Sequence, residues 1–197
     1  MTSTQPWDVR HIYTTADPKY DNRSSWWYLT KLKEELQEHR GAGRIRGDWH
    51  DCPVGVSTDI GTELQKSKQG ELVIVDLHGW KHCPELGVTC EDSTSLRAVA
   101  PGKWWSASVV FLTGCWGGTD LWGEALNEML THPTTIVGNS KDDGSGWRDH
   151  TPIKLISEVL KQAAGADANG AYDAVDGYLR SHPDLATEKC WMVHERG

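Results

Sequence analysis

The sequence is poor in basic residues and has no long apolar run. Its 197 residues include 20 Lys and Arg against 28 Asp and Glu, a formal net charge of −8. A protein that binds phosphate backbones normally carries a basic surface, so we expect no nucleic-acid partner. No apolar segment approaches the about 20 residues that cross a bilayer, and the first residues lack the pattern of a signal peptide. We therefore expect no membrane partner and a cytoplasmic location.

Phenylalanine is almost absent, whereas tryptophan is abundant. One Phe stands against 11 Trp, so we expect indoles to supply much of the aromatic packing and part of any binding surface. The five cysteines are an odd number, and a cytoplasmic setting keeps thiols reduced. We expect these cysteines to be packed or reactive rather than bridged.

Motifs that hold cofactors and metals are also missing. The sequence has neither a Gly-x-Gly-x-x-Gly motif nor a P-loop, and it contains no Cys-x-x-Cys pair. His and Cys residues do gather at 50–52 and 78–90, but their spacing fits no zinc motif. We therefore expect no cofactor and no metal.

Short apolar runs alternate with amphipathic stretches, a pattern typical of an α/β fold with a mainly parallel central sheet flanked by helices. We expect a single domain over residues 1–197. The predicted strands are Val9–Thr14, Gly43–Trp49, Glu71–His78, Ala107–Thr113, Thr134–Gly138 and Lys189–His194. The predicted helices are Ser24–His39, Thr58–Lys68, Thr119–Leu130, Thr151–Ala163 and Asn169–Arg180.

Two of the apolar strands run into polar sequences that contain glycine. One continues as Asp-Leu-His-Gly-Trp at 76–80, and the other as Thr-Gly-Cys-Trp-Gly-Gly at 113–118. Ligand sites of open α/β sheets lie beyond the carboxyl ends of the strands, so His78 and Cys115 are placed where catalysis would occur. Glycines beside Cys115 would expose its sulfur and nearby backbone N–H groups, and the helix start that follows would favour a thiolate.

Each of these residues also has a purely structural interpretation. A lone His at a strand end is often a structural hydrogen-bonding residue, and a lone Cys is often a small buried apolar residue. Asp76 shares a strand face with His78. It is therefore either a neighbour of the imidazole or a structural carboxylate.

Taken together, the two segments resemble the motifs of the caspase-like cysteine peptidases (clan CD), which include caspases, metacaspases, legumain, separase and the bacterial CHAT-domain peptidases. In that clan an apolar strand ends in His-Gly, and a second ends in the catalytic Cys before a turn with Gly. Residues 73–79 and 109–117 match both halves in that order. The caspase signature Gln-Ala-Cys-x-Gly is matched only at Cys115 and Gly117, and the His–Cys spacing is 37 residues against about 50 in caspases. These differences favour the CHAT-domain and prokaryotic caspase-like members.

The resemblance implies a three-layer caspase-like fold and a cysteine endopeptidase that hydrolyses peptide bonds in a protein or peptide substrate. Cys115 would attack the scissile carbonyl, and His78 would protonate the leaving amine and then activate water. The N–H groups of Gly79 and Cys115 would hold the oxyanion.

The same resemblance suggests substrate-binding and regulatory features. Two polar loops would bind substrate, one through Asp21 and the other through Asp142 and Asp143. Activation would depend on a protein partner, an oligomer or a cleavage, as for an effector in a bacterial defence or signalling system.

Two other interpretations remain open. Cys115 could be the nucleophile of an α/β-hydrolase-like esterase, in which the His follows the nucleophile, so that His150 or His194 would be the base. Position 113 is then Thr where that motif has Gly. Alternatively, the fold could be a non-catalytic interaction module that uses its indoles as the contact surface.

Overall fold

A computed structural model describes residues 5–16, 23–89, 91–99, 106–115, 117, 119–130, 132–139, 151–188 and 190–194. The strands are β1 (Asp8–Thr14), β2 (His50–Val54), β3 (Glu71–Asp76), β4 (His78–Gly79), β5 (Glu85–Gly87), β6 (Ser93–Ser95), β7 (Val109–Leu112), β8 (Thr135–Asn139) and β9 (Cys190–His194). The helices are α1 (Arg23–Gly41), α2 (Thr58–Gln65), α3 (Leu96–Val99), α4 (Asp120–Asn127), α5 (Thr151–Gln162), α6 (Ala168–Ser181) and α7 (Pro183–Glu188). No helix within these ranges carries an apolar stretch long enough to span a membrane.

The main sheet has the strand order β2-β1-β3-β7-β8-β9. Its first five strands are parallel, and β9 pairs antiparallel with β8. Every residue of β3 and β7 is buried, which explains the four successive apolar residues in each, at 72–75 and 109–112. The predicted α/β fold with a mainly parallel sheet is confirmed. A small antiparallel sheet, β4-β5-β6, lies beside it.

Helices cover both faces of the main sheet, because alternate strand residues point to opposite sides. The face toward α1, α5 and α6 includes Leu72, Ile74, Val109 and Phe111. The face toward α2, α3 and α4 includes Val73, Val75, Val110 and Leu112. The prediction that helices flank the sheet is therefore confirmed.

The prediction of a strand over Gly43–Trp49 is wrong. Gly43 and Gly47 adopt φ angles of 72° and 65°, which belong to turns, and Ile45 makes only an isolated bridge to Trp7. The strand comes later, at His50–Val54, and it contains Pro53. Proline is tolerated there because β2 lies at the edge of the sheet and its outer side needs no ladder hydrogen bond.

The strand predicted over Glu71–His78 also ends earlier. The chain leaves the main sheet after Asp76, and His78 and Gly79 pair instead with β5 in the small sheet. The small sheet and the short helices α3 and α7 were not predicted, because elements of two to six residues are too short to show a hydrophobic period.

At the amino end of the sheet, a buried ion pair joins β1 to β3. The Arg10 guanidinium donates to both carboxylate oxygens of Glu71, from Nε at 3.1 Å and from Nη2 at 3.3 Å. Both residues are almost fully buried, with Glu71 completely inaccessible. The Lys68 backbone N–H also donates to Glu71 at 2.9 Å, so the carboxylate is well satisfied.

Removing one partner of this pair should strongly destabilise the fold. We expect Arg10→Ala to lower the free energy of unfolding by about 3–5 kcal/mol, since it leaves the Glu71 carboxylate buried without a counter-charge. Arg46→Ala is the control, because Arg46 pairs with Asp8 at 3.1 Å on the surface and should contribute only about 0–1 kcal/mol. Urea unfolding measures both, and equal losses would contradict the prediction.

Candidate active site

The register between β3 and β7 brings His78 and Cys115 to the same edge of the sheet. Val75 pairs with Leu112, a separation of 37 residues, and His78 and Cys115 are also 37 residues apart. Each residue therefore lies three positions beyond a paired strand residue. The pairing continues past the strands, because the Thr113 N–H donates to the Val75 carbonyl oxygen at 3.1 Å.

Beyond the strands, the two loops contact each other through their backbones. A methyl group built on Gly79 would lie 2.2 Å from the carbonyl oxygen of Cys115, and one built on Gly114 would lie 2.1 Å from that of Leu77. Both distances are shorter than real side chains allow. Glycine is therefore required at both positions by close packing of the loops.

Buried side chains fix the His-Gly loop on either side. Leu77 is fully buried in the core on the α2–α4 face, directly before His78. On the other side, the Trp122 indole N–H donates to the Trp80 carbonyl oxygen at 3.0 Å. Trp122 belongs to α4, the helix that follows Cys115, so its hydrogen bond ties the two loops together. His78 and Gly79, between these anchors, are partly exposed.

The side chains of three cysteines are described, and they differ in exposure. Cys115 and Cys83 are partly exposed, whereas Cys52 is buried and accepts a hydrogen bond from Arg10 at 3.4 Å. Burial raises the pKa of the Cys52 thiol, and Arg10 opposes this shift. Burial, followed by the charge of Glu85, raises the pKa of the Cys83 thiol. Both shifts disfavour the reactive thiolate at Cys52 and Cys83.

Beneath the two loops, a polar cluster is buried on the α1 face of the sheet. The Thr113 hydroxyl lies 3.0 Å from Asp76 Oδ1, and Asp76 Oδ2 lies 3.8 Å from His11 Nε2. Burial, and then the charge of Asp76, raise the pKa of Tyr28 well above its ordinary value. Asp76 is completely inaccessible to solvent, and these contacts favour its interpretation as a structural carboxylate.

Several predicted residues lie outside the part of the chain that the structure describes. The substrate-binding candidates Asp21, Asp142 and Asp143 are among them, as is His150. Within the described part, no three His, Cys, Asp or Glu side chains come close enough together to hold a metal ion.

His194 lies at the opposite edge of the sheet from Cys115. It pairs with Thr135 at the start of β8, whereas Gly138, near the end of β8, pairs with Leu112. Thr135 and Gly138 are three residues apart, about 10 Å along the strand. Cys115 lies a further three residues beyond Leu112, on the side away from His194. The register therefore does not bring His194 to Cys115.

The residues that support the site carry little signal in the sequence. Thr113 lies at the end of a predicted strand, and Trp80 and Trp122 are two among 11 tryptophans. Trp122 could have been noticed, because an indole on the helix after a reactive Cys is well placed to pack against the neighbouring loop.

Comparison with known protein families finds no family model that matches this chain, and comparison with curated proteins finds no significant relative.

Replacing Gly79 by Ala should distort the contact between the loops. We expect Gly79→Ala to cost about 1–3 kcal/mol of stability, because its methyl group would overlap the Cys115 carbonyl oxygen. Gly177→Ala is the control: nothing lies within 4 Å of its methyl group, and it should stabilise α6 by about 0.5–1 kcal/mol. Denaturant unfolding distinguishes them, and a stabilised Gly79→Ala would refute the close contact.

Proposed function

We propose that this protein is a caspase-like cysteine endopeptidase in which Cys115 is the nucleophile and His78 the general base and acid. The observation that carries the proposal is the backbone contact between Gly79 and Cys115 at the carboxyl edge of the sheet. It puts a partly exposed thiol and an imidazole on touching loops, which supports a Cys–His pair, since acyl transfer needs the two side chains within hydrogen-bond reach of each other.

The proposed reaction uses one nucleophile and one proton carrier. The Cys115 thiolate attacks the scissile carbonyl carbon, and its electron pair moves onto the carbonyl oxygen, where the N–H groups of Gly79 and Cys115 stabilise the negative charge. The His78 imidazolium gives its proton to the leaving nitrogen as the C–N bond breaks. Neutral His78 then takes a proton from water, whose oxygen attacks the thioester. The carboxylic acid product leaves as the Cys115 sulfur is released.

The spacing of the motifs also supports this proposal. The 37 residues between His78 and Cys115 equal the register offset of β3 and β7. The shorter distance compared with about 50 residues in caspases therefore changes only the connection between the strands, which here contains the small sheet and α3. A three-layer caspase-like fold is consistent with the parallel sheet and its two helical layers.

The rival functions receive less support. An esterase that uses His194 as base would need this residue near Cys115, and the register separates them. A non-catalytic module would have no need for a partly exposed thiol beside a His-Gly loop, although its surface could use the same indoles. Substrate binding by Asp21, Asp142 and Asp143 remains part of the proposal.

Substitution of either proposed catalytic residue should abolish cleavage. We expect Cys115→Ala and His78→Ala to lower peptide hydrolysis at least about a hundredfold with the fold intact. Cys83→Ala is the matched control, since Cys83 is a partly exposed thiol near the same loops. Labelled casein and a mixture of quenched peptides provide the assay. Full activity in Cys115→Ala would refute the proposal.

Thiol labelling tests the site even if the isolated chain has no peptidase activity until a partner, a cleavage or an oligomer activates it. We expect limited iodoacetamide to label Cys115 before Cys83 and Cys52, because the raised pKa of each of these two thiols lowers its thiolate fraction. Peptide mapping ranks the sites. His78→Ala should slow labelling at Cys115 alone, and an unchanged rate would mean that the two residues are not a pair.

A further inference from the structure

The cluster beneath the site contains buried ionisable groups that lack some of their hydrogen-bond partners among the described residues. Asp76 is fully buried, and its Oδ2 has no hydrogen-bond partner among the residues that the structure describes. His11 is fully buried as well, and neither of its ring nitrogens has such a partner in the same set. Its Nε2 lies 3.8 Å from Asp76 Oδ2, and its Nδ1 lies 3.8 Å from Asp51 Oδ1.

A buried carboxylate is costly unless other groups satisfy it. The hydrogen bond to Asp76 comes from Thr113, two residues before Cys115, whereas Asp76 itself lies two residues before His78. The bond therefore joins the bases of the two loops that carry the proposed dyad. Apolar packing at this point would hold the loops together, but it would not fix their relative height, because it has no direction.

We infer that Asp76 and Thr113 are positioning residues, which clamp the His78 and Cys115 loops in register. This inference rests on the proposed function of the dyad. The Thr113 hydroxyl also lies 3.3 Å from the Val75 carbonyl oxygen, a second acceptor on β3 that shares its one proton with the closer Asp76 carboxylate.

The test compares Thr113→Val, which removes the hydroxyl at nearly constant size, with Thr113→Ser, which retains it. We expect Thr113→Val to lower kcat on the quenched peptides about ten- to hundredfold with KM little changed, because misplaced reacting groups slow the chemical step. It should also slow iodoacetamide labelling of Cys115 relative to Cys83. Thr113→Ser should keep both rates near those of the unsubstituted protein.

Thr113→Val leaves a buried carboxylate without its donor and could fail to fold, so a double variant is included. In Thr113→Val with Asp76→Leu both partners are apolar, which avoids the unsatisfied charge. We expect this double variant to recover the melting temperature but to keep the low kcat and the slow labelling. Recovery of all three would show that the pair serves only stability and would overturn the inference.

His78→Ala, measured in the same labelling series, separates the two possible failures. An equal Cys115 labelling rate in His78→Ala and in the unsubstituted protein would refute the dyad, and the positioning role with it. A rate that depends on His78 but is the same in Thr113→Val and Thr113→Ser would leave the dyad standing and refute the clamp.

Discussion

Parallel pairing of β3 with β7 is the constraint on which the rest of the molecule depends. These two buried strands form the centre of the main sheet, and parallel strands bring their carboxyl ends to one edge. Because Val75 pairs with Leu112, both strands deliver their following loops to the same end of the sheet. A shift of one strand by one residue would turn its side chains to the opposite faces, so burial on two sides fixes the register that brings the two loops together.

Strand pairing alone does not hold the loops that follow β3 and β7. Three further contacts hold them together. The glycines allow the backbones to touch, Leu77 is anchored in the core, and Trp122 binds the carbonyl group of Trp80. The small sheet is tied in separately, since the Thr14 hydroxyl at the end of β1 donates to the Val88 carbonyl oxygen at 2.7 Å. The edge of the sheet is thus held from three directions while His78 and Cys115 stay partly exposed.

The sequence predicts those features that are repeated or strongly apolar. The runs that become β3 and β7 were recognised because four successive apolar residues exclude a surface strand. The edge strand β2 was missed, since Pro53 argues against a strand unless its edge position is known. The close contact at Gly79 could not be foreseen either: the sequence shows that glycine is present, but only the folded register shows which carbonyl group it must admit.

Buried acidic side chains lie at both ends of β3, Glu71 at its amino end and Asp76 at its carboxyl end. At the amino end, Arg10 and Glu71 satisfy each other through two hydrogen bonds, which makes a rigid contact remote from the loops. At the carboxyl end, Asp76 accepts a hydrogen bond from Thr113 and lies 3.8 Å from His11, which is beyond hydrogen-bond distance. The two contacts share no residue, so the stability effects of substitutions at the two ends of the sheet should be nearly additive.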